Sequence, residues 1–285
     1  MLVVKSHRFV AGTLFFTSNS PSYFAGLMSK AITHSDKGSG PVVVFVHGFC
    51  ESKDIWKTFA ERFSANYRVI CLDLPGFGES MLDKEQVSME WFADEVQQLM
   101  KLLNIHLFTF VGHSLGGYVG LAYAEKYAQH LNGLCLFHST SYADSEERKI
   151  NRDKTIAFIH KYGTDMFTQS FIEPLFLLKN RQALKNEIAE LKAIAKQSSE
   201  KGIIATTVAM RDRADRTHVL AESKIPILII GGKNDATVPI AKLKELSQLS
   251  SVIQLAEIED CGHMGMYEQK EKTFEVLAGF LNQNP

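Results

Sequence analysis

The chain has 285 residues, of which 45% are hydrophobic, and its 31 lysines and arginines nearly balance its 32 aspartates and glutamates. The charges are interspersed and form no basic stripe, so the composition does not predict nucleic-acid binding. No uninterrupted apolar run approaches the roughly 18 residues that a membrane-spanning helix needs, so no membrane span is expected. The length can bury one large α/β core, alone or with an inserted subdomain.

The cysteine pattern and the first residues bear on the compartment. The four cysteines are far apart and include no C-x-x-C pair; they are Cys50, Cys71, Cys135 and Cys261. This predicts reduced thiols in a cytoplasmic protein, and we expect no metal and no cofactor. Residues 1–27 resemble a signal peptide only weakly, because their apolar stretch is short and their start is apolar, not basic. We interpret them as an N-terminal extension, with Met28 as an alternative start and disorder as an open option.

Strand and helix patterns alternate in the first half of the chain. Residues 42–46 form a continuous apolar run, which is typical of a strand buried on both faces. Ser88 precedes an amphipathic helix whose apolar residues keep helical spacing. The other predicted elements of this half are an edge strand at 30–34, a helix at 52–64, a strand at 67–74 and a strand at 133–137. Strands that alternate with helices predict βαβ crossovers and a mostly parallel sheet.

One stretch of this half carries the strongest chemical signal, Gly112-His113-Ser114-Leu115-Gly116. A β-prone run enters it and a helix-compatible segment leaves it, which is the context that a nucleophile elbow requires. The two glycines leave room for the returning helix, and the turn aims the serine hydroxyl near a helix N-terminus, where negative charge is favoured. Ser114 is therefore the candidate nucleophile. The alternative is a glycine-rich strand–helix turn that happens to contain serine.

The alternation stops after the strand that ends near Phe137. Residues 142–215 contain helical patterns and no convincing strand, so we predict a helical cap, or lid, inserted over the sheet. The predicted helices span 146–162, 165–171, 181–199 and 203–211. Most apolar residues of this insertion should pack it onto the core, and a minority should contact a ligand. The residues that we place in such a pocket are His138, Phe158, Phe167 and Phe171.

The alternating pattern resumes towards the C-terminus. Its predicted elements are a strand at 225–230, a helix that begins near Pro239, a strand at 252–258 and a closing helix at 267–281. Asp235 and His263 follow strand ends, as Ser114 does, and sites in open parallel sheets form at the carboxyl ends of strands. His263 could take the serine proton and Asp235 could orient the imidazole. Alternatively, Asp235 caps a helix and His263 is one of ten scattered histidines.

These residues and their neighbours form five motifs in an order that resembles the α/β-hydrolase fold superfamily, in its capped, esterase-like branch. The motifs are His47-Gly48-Phe49, residues 73–80 (DLPGFGES), residues 112–117 (GHSLGG), residues 231–235 (GGKND) with Val238-Pro239, and Gly262-His263. The resemblance implies a mostly parallel central sheet flanked by helices, a core of residues 28–141 and 216–285, and a cap of residues 142–215. It also implies an oxyanion hole made by the backbone N–H groups of Phe49 and Leu115.

The residue at position 114 narrows the function within this superfamily. Its dehalogenases and epoxide hydrolases carry aspartate there, and the Gly-Gly-Ser-Trp-Gly and H-G-G-G runs of other branches are absent. We expect a serine hydrolase that cleaves an ester or thioester of a small to medium, largely apolar acyl compound through an acyl-enzyme. Two alternatives stay open: a C–C bond hydrolase with the same Ser-His-Asp triad, and a small-molecule binding or receptor protein. The sequence does not indicate an oligomeric state.

Overall fold

The computed structural model describes residues 32–284 and contains a seven-stranded sheet in the order β1-β3-β2-β4-β5-β6-β7. The strands are β1 (His34–Lys37), β2 (Val42–Val46), β3 (Arg68–Leu72), β4 (Phe108–His113), β5 (Leu131–Phe137), β6 (Ile227–Gly232) and β7 (Ile253–Ile258). β1 runs antiparallel to β3, and the other neighbouring strands are parallel. The predicted α/β-hydrolase fold with its mostly parallel sheet is confirmed. The extension predicted for residues 1–27 lies outside the described residues.

Helices flank this sheet and also fill the stretch between β5 and β6. The α-helices are α1 (Lys57–Ala60), α2 (Met89–Leu102), α3 (Leu115–Tyr127), α4 (Glu146–Tyr162), α5 (Thr164–Ile172), α6 (Lys185–Ala195), α7 (Glu200–Arg211), α8 (Thr217–Ala221), α9 (Ile240–Ser247), α10 (Gly265–Glu268) and α11 (Lys270–Gln283). Short 3₁₀ turns occur at Lys53–Trp56, Glu61–Phe63, Ala128–His130, Glu173–Leu175 and Leu178–Asn180. Among residues 32–284, no helix has both the length and the apolar composition that crossing a bilayer requires.

Strand boundaries differ from the predicted ones where tertiary contacts decide them. The edge strand forms at His34–Lys37, later than predicted, because these residues pair with β3. β6 continues two residues beyond its predicted end, through Gly231 and Gly232. A Cβ at position 232 would lie 2.2 Å from the carbonyl oxygen of Gly262. Glycine therefore lets this strand end approach the loop that carries His263 at backbone distance.

Helix starts follow the capping residues that the sequence offers. Ser88 Oγ accepts the Trp91 N–H at 3.2 Å and caps α2, as predicted. The bounds of α4 match the predicted helix. The predicted helix at 181–199 is shorter, because Ser199 Oγ accepts the Gly202 N–H and caps α7. The predicted helix at 52–64 is one α-helical turn between two 3₁₀ turns, and α8 is absent from the predicted elements.

The stretch between β5 and β6 meets the loop after β3 through a close glycine contact. A Cβ at Gly202 would lie 2.3 Å from the carbonyl oxygen of Gly76. The Ser199 N–H donates to that same oxygen at 3.2 Å. These contacts hold the start of α7 against a loop that leaves the carboxyl end of β3.

Candidate active site

Ser114 lies in the turn between β4 and α3, with φ 48° and ψ −109°. A non-glycine residue seldom adopts positive φ, because Cβ then crowds the backbone. Hydrogen bonds on both sides of the residue hold this conformation. The Ser114 N–H donates to the Phe137 carbonyl at 3.0 Å, and its own carbonyl accepts Ser139 Oγ at 2.7 Å. The strained turn is therefore tied to the neighbouring strand β5.

The glycines of the elbow are required by close backbone approaches. A Cβ at Gly112 would lie 2.3 Å from the Gly116 carbonyl oxygen, and a Cβ at Gly116 would lie 2.4 Å from the Val46 carbonyl oxygen. Both distances are far below contact, and both partners are backbone atoms that cannot move aside. The G-x-S-x-G pattern thus reflects packing of α3 against β4 and β2.

Asp235 and His263 form a buried acid–base pair at the ends of β6 and β7. His263 Nδ1 lies 2.7 Å from Asp235 Oδ2. Because an ionised carboxylate only accepts, Nδ1 carries the proton and Nε2 is left with a lone pair. Burial alone would raise the pKa of Asp235, but His263 and the hydrogen bonds of two imidazoles lower it well below its usual range. Asp235 is therefore ionised at neutral pH.

The second oxygen of Asp235 holds the loop that follows it. Asp235 Oδ1 accepts the N–H groups of Thr237 and Val238 at 2.8 and 2.9 Å. The helix α9 begins later, with Pro239 as its capping residue. The helix-cap alternative for Asp235 is therefore wrong, although one carboxylate oxygen does bind backbone N–H groups. The other oxygen remains for the imidazoles.

His138 is the second imidazole on Asp235. Its Nδ1 lies 3.2 Å from Asp235 Oδ2, and its side chain is fully buried. Burial lowers the pKa of His138 to about 4, against the opposing effect of Asp235, so the ring is neutral at pH 7. Within residues 32–284, Nε2 of His138 has no hydrogen-bond partner. The structure thus places His138 against Asp235. It does not line the cavity, as the sequence had predicted it would.

The backbone around His263 is held from several directions. The His263 N–H donates to the Leu175 carbonyl at 2.8 Å, and its carbonyl oxygen lies 3.0 Å from His113 Nε2. Glu268 Oε1 accepts the N–H groups on either side of it, from Gly262 at 3.0 Å and Met264 at 3.2 Å. Glu268 was not among the predicted site residues, since no motif distinguishes it from other helical glutamates.

A second buried carboxylate–imidazole pair lies beside the first. Glu51 Oε2 lies 2.9 Å from His113 Nδ1 and also accepts the Gly48 N–H at 2.5 Å. Burial opposes the charge on each group, but their mutual attraction raises the pKa of His113 and lowers the pKa of Glu51. Both ring nitrogens of His113 face acceptors, Glu51 Oε2 and the His263 carbonyl, which fits an ionised pair, and the pair fixes the loop that carries Phe49. No motif in the sequence distinguishes Glu51 from other glutamates.

Ser114 and His263 line the same cavity, whose volume is about 50 Å³. Its lining residues are Phe49, Glu51, Ser114, Tyr118, Arg152, Phe171, Leu175, Met210, Thr237 and His263. This volume holds only a few water molecules, so the closed cavity is small. Three larger cavities, of about 150, 270 and 250 Å³, include neither Ser114 nor His263. Ser114 and His263 therefore meet at a small cavity.

The aromatic residues that the sequence assigned to a pocket divide into three cases. Phe171 lines the cavity and meets the Phe49 ring edge-on at a centroid distance of 5.5 Å. Phe167 stacks on Phe171 at 5.3 Å and supports it without lining the cavity. Phe158 lines a separate groove with Lys154 and Phe167 and does not reach the catalytic groups.

The two residues that the resemblance assigns to an oxyanion hole, Leu115 and Phe49, follow Ser114 directly or line its cavity. Leu115 is the first residue of α3, a position where the helix itself offers no acceptor for the N–H. Phe49 follows Gly48, which Glu51 holds, and it lines the cavity with Ser114.

The arrangement also brings donor atoms of His138, Asp235 and His263 within 4.8 Å of one another, close enough to hold a metal. Hydrogen bonds among the three already account for that closeness.

Residues 41–270 match the family model described as alpha/beta hydrolase fold. Human monoacylglycerol lipase ABHD6 is 23% identical over 257 residues, which cover 86% of this chain and 76% of the relative. The AB hydrolase superfamily protein YisY of Bacillus subtilis (strain 168) is 26% identical over 267 residues, covering 87% and 94%. A thermophilic esterase from Thermogutta terrifontis, solved with malate bound, superimposes with a TM-score of 0.84 at 29% identity, over 88% of this chain and 93% of the esterase.

Proposed function

The chain belongs to the α/β-hydrolase family and is a hydrolase of the carboxylic-ester type, and from this premise we propose that it cleaves short-chain esters through Ser114, His263 and Asp235. The resemblance that the motifs predict is thereby confirmed at the level of the family. One observation carries the proposal. Ser114, in a strained turn, lines the same cavity as His263, and His263 is bound to the buried Asp235. The lipase and esterase relatives favour an ester as the bond.

Acylation and deacylation follow from the positions of these groups. Ser114 Oγ attacks the ester carbonyl carbon while His263 Nε2 takes the serine proton. The imidazolium then gives that proton to the leaving alcohol oxygen, the carbon–oxygen bond breaks, and the acyl group remains on Ser114. A water molecule attacks the acyl carbon, gives its proton to His263, and the carboxylic acid departs as Ser114 recovers its proton.

Asp235 stabilises the imidazolium that forms in each half-reaction. Its lowered pKa keeps it ionised while His263 is charged, so the pair gains Coulombic energy during proton transfer. His138 donates to the same carboxylate oxygen from below and is itself neutral. We assign His138 a positioning role, since it contacts Asp235 and lies outside the cavity lining.

The tetrahedral intermediate needs donors for its oxyanion. We assign this role to the N–H groups of Leu115 and Phe49, and losing one such donor typically costs about 10²–10³ in rate. Glu51 supports the second donor indirectly, because it binds the N–H of Gly48. The Glu51–His113 pair therefore acts on the loop and takes no part in proton transfer.

The size and walls of the cavity favour a short acyl group. Apart from its catalytic groups, its walls are mainly apolar, with Phe49, Phe171, Leu175 and Met210. Since Arg152, Phe171 and Met210 come from residues 142–215, we propose that this helical segment acts as the lid of the site.

We also propose a cytoplasmic location, because all four cysteine thiols are buried and unpaired.

A fluorophosphonate probe tests the nucleophile directly. Intact-protein mass spectrometry of the wild type should show a single adduct, mapped to Ser114, that is absent in Ser114→Ala and much slower in His263→Ala. Ser247→Ala is the matched control, since its hydroxyl only donates to the Lys244 carbonyl and accepts from the Gln248 amide, and it should label as the wild type does.

The same proteins then distinguish the alternatives. Labelling together with hydrolysis of p-nitrophenyl acetate and butyrate supports the ester hydrolase. Labelling with turnover of a ring-cleavage diketone, and none of esters, would support the C–C hydrolase instead. A folded wild-type protein that does not label would contradict the triad and favour a binding protein.

A further inference from the structure

The helical segment brings one guanidinium group to the catalytic cavity. Arg152, on α4, lines that cavity together with Ser114 and His263. Its Nε donates to Asp144 Oδ2 at 3.0 Å, which fixes the plane of the guanidinium. Within residues 32–284, neither terminal amino group of Arg152 donates a hydrogen bond to a protein acceptor. These two terminal amino groups are therefore available to another acceptor.

The carboxylate that holds Arg152 is shared and cannot neutralise it. The Asp144 side chain is fully buried and also pairs with Arg213 Nη1 at 2.8 Å, with Arg148 Nη1 further away at 3.9 Å. One carboxylate among three guanidinium groups leaves a local charge of +2, from three positive charges and one negative charge. Arg213 is buried over the ring of Tyr118, which itself lines the cavity. This cluster positions Arg152 rigidly without cancelling its charge.

The acidic groups near the cavity are occupied by other partners. Glu51 is bound to His113 and Gly48, and Asp235 is bound to two histidines. Neither is free to pair with Arg152. The remaining wall is largely apolar, and a charge that is only partly neutralised interacts strongly with an opposite charge beside such a wall.

We propose, on the basis of the ester hydrolysis proposed above, that Arg152 binds a carboxylate group of the substrate. A guanidinium fork with free Nη groups matches the two oxygens of a carboxylate. Because the cavity is small, the carboxylate lies only a few bonds from the ester carbonyl that Ser114 attacks. The substrate class is therefore a short ester or lactone that carries a carboxylate, and Arg152 determines that specificity.

The test compares esters of equal length with and without the carboxylate. Monomethyl succinate is paired with methyl pentanoate for the acyl side, and acetoxyacetate with propyl acetate for the alcohol side, each followed by proton NMR. In the wild type, at least one carboxylate ester should have a kcat/KM at least about tenfold above that of its neutral partner. Arg152→Gln should lower this ratio about tenfold, through KM more than kcat, and Arg152→Lys should retain part of it.

Arg211→Gln is the control, because Arg211 is paired with Asp153 and Asp212 on the surface, and its ratio and rates should equal the wild type's. A wild type that prefers the neutral ester in both pairs would overturn the proposal. An equal loss on all four esters in Arg152→Gln would also overturn it, since the residue would then be structural.

Binding without turnover separates this proposal from the ester hydrolase. Calorimetry should show that succinate binds to the Ser114→Ala protein and binds at least about tenfold more weakly to the Ser114→Ala, Arg152→Gln protein. If no ester is hydrolysed but this difference is found, the hydrolase proposal fails and the carboxylate site stands. If esters are hydrolysed and succinate binds equally to both proteins, the carboxylate site fails and the hydrolase stands.

Discussion

The helix that follows Ser114 and the helix that carries Arg152 are built in opposite ways. In α3, ten of the thirteen residues are buried, whereas Ile159 is the one buried residue among the seventeen of α4. The first helix is enclosed by the sheet and by neighbouring helices, while the second exposes long charged side chains along most of its surface. Substitutions are therefore constrained at the base of the site and tolerated in the helical segment above it.

The polar groups of the two regions differ in the same way. At the strand ends, Glu51 and Asp235 are buried and each is bound to histidine. In the helical segment, Asp144 and Arg213 form a buried pair, but pairs such as Glu173–Lys192 are partly exposed to solvent. Removing one partner of a buried pair leaves an uncompensated charge, whereas solvent replaces the partner of an exposed one. We therefore expect the buried groups at the strand ends to determine the reaction and residues 142–215 to determine the substrate.

The largest difference between the regions should appear in catalysis. We expect Asp235→Asn to lower kcat on methyl butyrate about 10⁴-fold, because an amide facing His263 favours the wrong imidazole tautomer. Asp260→Asn, which alters an exposed carboxylate paired with Lys179, should leave kcat unchanged. A loss of less than tenfold in Asp235→Asn would mean that this residue only braces its loop.

Stability should separate the regions next. Glu51→Gln removes the charge that holds a proton on the buried His113, so at pH 6 we expect it to lower the free energy of unfolding by roughly 3 kcal/mol. Glu173→Gln removes an exposed partner of Lys192 and should leave the urea midpoint of unfolding unchanged. Equal midpoints for the two variants would contradict the contrast in burial on which the comparison depends.

The pH dependence of stability should reveal the buried His138. Its pKa is about 4 in the folded protein against 6.5 for an ordinary histidine, so the unfolded chain binds more protons between these values. Stability therefore falls as the pH falls from 6.5 to 4, by on the order of 3 kcal/mol from this residue. His138→Asn retains a donor for Asp235 and suits the positive φ of 50°, and it should flatten the decline of urea midpoints in this window. A decline as steep as that of the wild type would contradict the assignment.

The smallest effect is expected within the helical segment. Phe171→Ala enlarges the cavity, so the ratio of kcat/KM for hexanoate over butyrate esters should rise about fivefold. Phe158→Ala changes a separate groove, and its ratio should equal the wild-type ratio. If both variants changed the ratio equally, the acyl group would not lie against Phe171.

The elements that carry the site were largely predictable, because their signals are local. Apolar runs specify β2 and β4, Ser88 and Ser145 cap the helices that follow them, and Gly112 and Gly116 are needed wherever a helix returns so closely against a strand. Ser114, Asp235 and His263 could be placed at strand ends because the strands before them were predictable. Since the carboxyl ends of parallel strands lie at one edge of the sheet, the three residues were expected to lie close together.

The pocket residues were less predictable, because the direction of a side chain depends on packing. The sequence could locate His138 at the end of β5. Its positive φ and its contact with Asp235, which direct the side chain away from the cavity lining, are visible only in the folded structure. Phe158 lies in the predicted helix at 146–162, and Phe167 and Phe171 lie in the next one, at 165–171. The angle at which α4 and α5 lie on the core decides that Phe171 alone of these three lines the cavity.

The sequence by itself determined the α/β class, the strand–turn–helix at Ser114 and the order of the reactive groups, since periodicity, capping and glycine sterics act between near neighbours. Tertiary structure alone decided the pairing of Glu51 with His113, 62 positions away, and the bracing of the His263 loop by Glu268. It also decided the sharing of Asp144 by Arg152 and Arg213. Charged side chains are common along the chain, and burial in the folded state is what selects the few that must find a partner.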